Sequence, residues 1–245
     1  MIESENGEAT ESLRFVFQTP ASSTFDFTLA LTFHPGSLTT TALLLGLQEN
    51  MVLDMISRLK HAKRLISAPM LLPILLVEMN IATVQRRISM AHKGLSTITY
   101  QTNLRDTASM PAGAHERANK IDDAERDAEI VTISRDLIRI SAKLAKSIYV
   151  CDVLIQICQY LQEAGPQCVT SLTRDSPTSR RRENAIQSNE AVQNIIVFNI
   201  RWIHSTHSKA IFFSRKADAY VQTVCVPAEV AMAWTRTADA CIVGL

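Results

Sequence analysis

Residues 183–224 contain neither Gly nor Pro, and their apolar side chains recur at alternating steps of four and three. The seam runs Val192, Ile196, Asn199, Ile203, Thr206, Ala210, Phe213, Ala217, Tyr220 and Val224, with Asn199 and Thr206 as its polar interruptions. A helix of about 42 residues rising about 1.5 Å each is roughly 60 Å long. A rod of that length with one apolar stripe requires an equally long apolar partner, so this stretch dictates an architecture of long packed helices.

Two further seams supply partners. Ile74, Val77, Ile81, Val84, Ile88, Ala91, Leu95 and Ile98 follow Pro69 and Pro73, with Gly94 as the weak point. Ile130, Ile133, Leu137, Ile140, Leu144, Ser147, Cys151, Leu154, Cys158 and Leu161 form the other, which Gly165-Pro166 is expected to end. Proline inside a helix costs about 3 kcal/mol, whereas at the start it is tolerated. Three such helices joined by two connections predict a mainly α protein, an antiparallel bundle or coiled coil with crossing angles near about 20°.

The N-terminal part has a different period. Leu13, Phe15 and Phe17 alternate with Arg14 and Val16, and Phe25, Phe27, Leu29, Leu31 and Phe33 alternate with Asp26, Thr28, Ala30 and Thr32. Thr19-Pro20-Ala21-Ser22-Ser23 between them is a turn signal, so the pair reads as a small β-hairpin with one apolar face. An isolated hairpin is marginal, and this face must lie against helices. After His34-Pro35-Gly36, residues 37–66 carry Leu43, Leu44, Leu47, Met51, Met55 and Leu59 at near-helical spacing and predict a helix or two short ones. The expected organisation is a disordered acidic tail (1–11), hairpin plus helix (12–66), a long-helix bundle (67–226) with loops near 100–116 and 163–183, and a short terminal element (227–245) after Pro227.

The formal net charge of +1 lacks the surplus of Lys and Arg that phosphate backbones require, so nucleic acid is not an expected partner. Five cysteines (Cys151, Cys158, Cys168, Cys225, Cys241) form no CxxC pair and are odd in number, which fits a reducing compartment. The acidic N-terminus lacks the pattern of a signal peptide, and the longest near-apolar runs, 68–77 and 228–234, fall short of the about 18 residues of a membrane span. A cytoplasmic protein without a transmembrane segment is expected.

Candidate chemistry is sparse. His204 and His207 are three apart on the long helix but lack a third ligand on the same turn, so no metal site is assigned. Asn199 and Thr206 suit a register-setting role within a packed interface. Cys151 and Cys158 lie on a seam and act there as small hydrophobes. The acidic run 116–129, with Glu116, Asp122, Asp123, Glu125, Asp127 and Glu129, reads as a solvated helix face able at most to gather a divalent cation weakly. Residues 174–182, holding Ser176-Pro177, Thr178 and Arg180-Arg181-Arg182, read as a surface connection open to phosphorylation or to contact with an acidic membrane surface. No phosphate-cradling glycine loop, nucleophile elbow or dinucleotide fingerprint is present, and no catalytic, cofactor or metal residue is assigned.

Phe33-His34-Pro35 with Ala42-Leu43-Leu44-Leu45-Gly46, and Ala68-Pro69-Met70-Leu71-Leu72-Pro73-Ile74-Leu75-Leu76-Val77-Glu78, resemble a set of uncharacterised helical proteins of filamentous fungi whose long helices begin with an HPLLLP-like segment. The resemblance extends over about residues 12–240. Some of these proteins are in turn distantly similar to the soluble domain of CorA-type magnesium transporters, where a small α/β portion precedes long helices that lead into a transmembrane hairpin. Residues 229–240 look like the approach to such a hairpin, but the hairpin and its Gly-Met-Asn filter motif are absent.

The expected function is a non-enzymatic structural or interaction module built on long amphipathic helices, self-associating or joined to a helical protein partner. The resemblance implies one alternative, a truncated CorA-like cytosolic domain that senses divalent cations or assembles with full-length subunits. An enzyme or ligand-binding protein whose site is scattered through the sequence is the other.

Overall fold

The computed structural model describes residues 12–19, 27–108, 119–174 and 180–242, with side chains throughout except in 101–108, 119–127, 172–174, 181 and 223–242. Three strands, β1 (Leu13–Gln18), β2 (Thr28–His34) and β3 (Thr39–Leu45), precede α1 (Glu49–His61), a 3-10 turn (Lys63–Leu65), α2 (Leu71–Ala108), α3 (Asn119–Arg174) and α4 (Arg180–Ile242). The expected tail (1–11) and, of the two expected loops, residues 109–116 and 175–179 lie outside the described residues. The chain divides into two compact units, Met1–Val84 with Tyr149–His207 and Gln85–Ile148 with Ser208–Leu245.

The first unit holds the sheet, which is antiparallel in the order β1-β2-β3. Leu13 pairs with Phe33, Phe15 with Leu31 and Phe17 with Leu29, so the period-two alternation places every aromatic and leucine of one face together. Phe15, Phe17, Phe27, Leu29, Leu31 and Phe33 are buried there. Phe17 meets Tyr160 of α3 edge-on, with ring centroids 5.7 Å apart. The opening of α2 is buried around much of its circumference at Leu71, Ile74, Leu75, Leu76, Val77, Met79, Asn80 and Ile81. Leu154, Cys158, Leu161, Ala164 and Cys168 of α3 and Ala185, Val192, Ile196 and Ile203 of α4 complete this core.

The second unit packs Ile88, Ala91, Leu95 and Ile98 of α2 with Ile133, Leu137, Ile140 and Leu144 of α3 and Ala210 and Ala217 of α4. His92 stacks on Phe213 with centroids 4.5 Å apart, and Thr99 Oγ1 and Tyr220 OH share a hydrogen bond of 2.8 Å. Within this unit Thr99 and Tyr220 are 121 residues apart, and so are His92 and Phe213. The constant offset means that α2 and α4 run parallel here. In the first unit the α3 to α4 contacts, Leu161 with Gln193 and Asp152 with His207, run oppositely, so α3 is antiparallel to α4 there. Every seam position whose side chain is described is buried or half-buried. The helices therefore bury their seams within one chain.

Four expectations are corrected. Residues 37–66 do not open as a helix: residues 39–45 form a third strand, making a three-stranded sheet of the expected hairpin. Three consecutive β-branched threonines and the free edge of β2 outweigh the helical spacing of Leu43, Leu44 and Leu47. Pro35-Gly36 is thus a hairpin turn, closed with Leu38 at φ 55°, and Gly46 at φ 91° ends the strand. Second, α2 continues to Ala108 through most of the expected loop at 100–116. Third, α3 passes Gly165-Pro166 and reaches Arg174, because its seam goes on through Ala164 and Cys168, both buried. Fourth, α4 runs through Pro227 to Ile242, so residues 227–242 are not a separate element; one proline removes one ladder bond and can be carried within a long helix.

Candidate functional site

The polar side chains that interrupt the seams are absorbed into packing. Asn199 is fully buried and donates from Nδ2 to Glu78 Oε1 at 3.4 Å, linking α4 to α2. Arg58 of α1 bonds Asp54 Oδ2 at 3.1 Å through Nε and lies 3.8 Å from Glu78 Oε2 through Nη1. Burial raises the Glu78 carboxyl above its ordinary value, against the lowering effects of Asn199 and Arg58. Asn199 Oδ1, Asn189 Oδ1 and Asn80 Nδ2 have no hydrogen-bond partner among the described residues. Thr206 Oγ1 donates to Trp202 O and Ser147 Oγ to Lys143 O, each one turn back on its own helix.

A second polar device sits where the proline interrupts α3. Asn189 Nδ2 donates to Gly165 O at 3.2 Å, and Gln193 Nε2, one turn further along α4, donates to Leu161 O at 3.4 Å. Pro166 has no N–H to offer the Gln162 carbonyl four residues back, and these two amides add hydrogen bonds from α4 to carbonyls on either side of that gap. Gly165 lets the Gln193 amide lie against the α3 backbone at this crossing, because a Cβ built there would displace that amide.

The candidate residues fall apart rather than converge. His207 Nε2 lies 3.2 Å from Asp152 Oδ1 of α3, while His204 is exposed. Among the described residues no group of three His, Cys, Asp or Glu is placed to hold a metal ion. Cys151, Cys158 and Cys168 are free and buried on the α3 seam, where burial pushes their thiols up to about 12, Asp152 adding to the effect at Cys151. The side chains of Cys225 and Cys241, those of the acidic run up to Asp127, and residues 175–179 lie outside the described set. Asn189 and Gln193 are not singled out by sequence, Glu78 enters only within the resemblance segment, and Gly165 only as an expected helix end. A charged residue and amides inside apolar helical segments were their visible signals.

Large apolar side chains also remain on the surface. Val16 is 71% exposed and pairs through Ala30, which pairs with Leu43, 60% exposed, so these three form a row across the outer face of the sheet. Leu45 stands beside them, also exposed. On α4, Phe198 is 64% exposed and its ring lies 6.3 Å from that of Trp202, pointing away from the Ile196, Asn199 and Ile203 seam. No described helix is long and apolar enough to cross a membrane. Comparison of the chain with protein-family models, curated proteins and solved structures returns no match.

Proposed function

We propose that the protein is a non-enzymatic interaction module that associates with a second copy of itself, its long helices acting as a scaffold that holds apolar surfaces outward. The observation that supports this reading is the division of the apolar side chains. The helix seams are closed within the chain, and large apolar residues are still left outside at Val16, Leu43, Leu45 and Phe198. Single exposed apolar residues are ordinary, whereas a contiguous row on a sheet and an aromatic pair on a helix are features of contact surfaces.

Light scattering across a wide concentration range tests it. The mass is expected to rise from the 27.2 kDa of one chain towards twice that value as concentration increases. A mass that stays at 27.2 kDa at the highest attainable concentration refutes self-association.

A further inference from the structure

We propose that the free edge of β3 pairs antiparallel with β3 of a second copy, centred on Ala42, to join two three-stranded sheets into one. The inference rests on the self-association reading and assigns its contact.

Among the described residues, the order β1-β2-β3 leaves one side of β3 without a neighbouring strand. Alternate N–H and C=O groups along its seven residues therefore face outward. Natural sheets protect such an edge with charge, proline, a bulge or a covering element. Here the strand reads Thr-Thr-Thr-Ala-Leu-Leu-Leu, with neither charge nor proline, and its ladder to β2 is continuous from Thr39 to Leu45. Nor does any described element cover it: Thr39, Thr41, Ala42, Leu43 and Leu45 are exposed, whereas the residues of β2 that face the helices are buried. The other edge, β1, carries Arg14, exposed and in the strand.

The strand is compatible with a second copy of itself. A two-fold axis at Ala42 sets Thr39 against Leu45, Thr40 against Leu44 and Thr41 against Leu43 of the other copy. This pairing keeps each residue on its own face of the sheet, because opposed positions differ by an even number. Like charges opposed across the axis would be repulsive, and this strand has none to bring together. Leu43 of each copy lies diagonal to Leu43 of the other, so the Val16, Ala30 and Leu43 row continues across the axis. Seven residues a side is far below the roughly 20–30 of a standard interface, so the pair forms reversibly and with concentration.

Cross-linking of the full chain with Cys225 and Cys241 replaced by Ser tests the register. Directly opposed residues in an antiparallel pair have Cα atoms roughly 4.5–5.5 Å apart, within disulfide reach. Ala42→Cys is expected to give a covalent dimer on mild oxidation under conditions where Ile56→Cys, exposed on α1, does not. Leu43→Lys with Leu45→Lys is expected to hold the mass at 27.2 kDa without lowering the unfolding temperature, since both positions are exposed. If that variant does not fold, Thr41→Lys serves in its place. Association that survives the lysines, with no cross-link at Ala42→Cys, overturns the β3 pairing and leaves self-association through another surface. A wild-type chain at 27.2 kDa throughout overturns both, leaving the edge to an extended peptide of another protein.

Discussion

Gly165→Ala should be coupled to Gln193, and the coupling should reverse the sign of its effect. Alanine is favoured over glycine by about 1 kcal/mol in a helix interior. At Gly165, however, the new Cβ would occupy the place of the Gln193 amide and displace it from Leu161 O. Losing that hydrogen bond costs about 1 kcal/mol, and the cost rises to roughly 1–3 kcal/mol if the displaced Gln193 amide is left buried and unpaired. The single variant is therefore expected to be unchanged or destabilised by up to about 2 kcal/mol once the helix gain is subtracted. In a Gln193→Ala background the obstruction is gone, and Gly165→Ala should stabilise by about 1 kcal/mol. Urea unfolding followed by circular dichroism on the four members of the cycle gives the coupling, expected at about 1–3 kcal/mol. Additivity within about 0.5 kcal/mol would refute the bracing of the proline turn by α4.

The same reasoning applies at Gly94, where a Cβ would come within 2.9 Å of Ile140 Cδ1. Gly94→Ala should be near neutral alone but stabilising by about 1 kcal/mol beside Ile140→Val, which removes that methyl, as thermal unfolding would report. Because burial raises the Glu78 carboxyl from its ordinary 4.5, the fold disfavours its charged form. Its contribution to stability should fall as pH rises from the ordinary carboxylate range through the raised value, and Glu78→Gln should flatten that fall in unfolding midpoints measured across pH. A Glu78→Gln variant with the wild-type pH profile would contradict this. Alkylation of Cys151, Cys158 and Cys168 in native protein at neutral pH should proceed no faster than unfolding, with mass spectrometry locating the label; rapid labelling would show that these thiols are accessible.

The helices were legible in the sequence because a heptad seam is a long, redundant signal. Eight positions from Ile74 to Ile98 repeat the same message, and all are buried. Their ends were less legible, since a single Gly-Pro was weighed as a stop while Cys168, four residues beyond the buried Ala164, already continued the seam. The third strand was missed for a related reason. Leu43, Leu44 and Leu47 fit a helical spacing locally, and only pairing with β2, a non-local contact, decides for Thr39–Leu45. Gly94 was read as a weakness in its seam, whereas it is the point where Ile140 approaches. The candidate contact surface was the least legible. Exposure of Leu43 and Leu45 depends on which strand lies at the edge, and alternation alone does not encode that.

The account stands on seams buried within one chain and an edge strand that gains its partner from another. Hydrogen exchange read by mass spectrometry on dilute and concentrated wild-type protein addresses both together. Amides of the α2, α3 and α4 seams should be protected to the same degree at both concentrations, while those of Thr39–Leu45 should gain protection only in the concentrated sample. Seam amides that exchange rapidly on dilution would mean that the helices pair between chains, and would contradict the account at its centre.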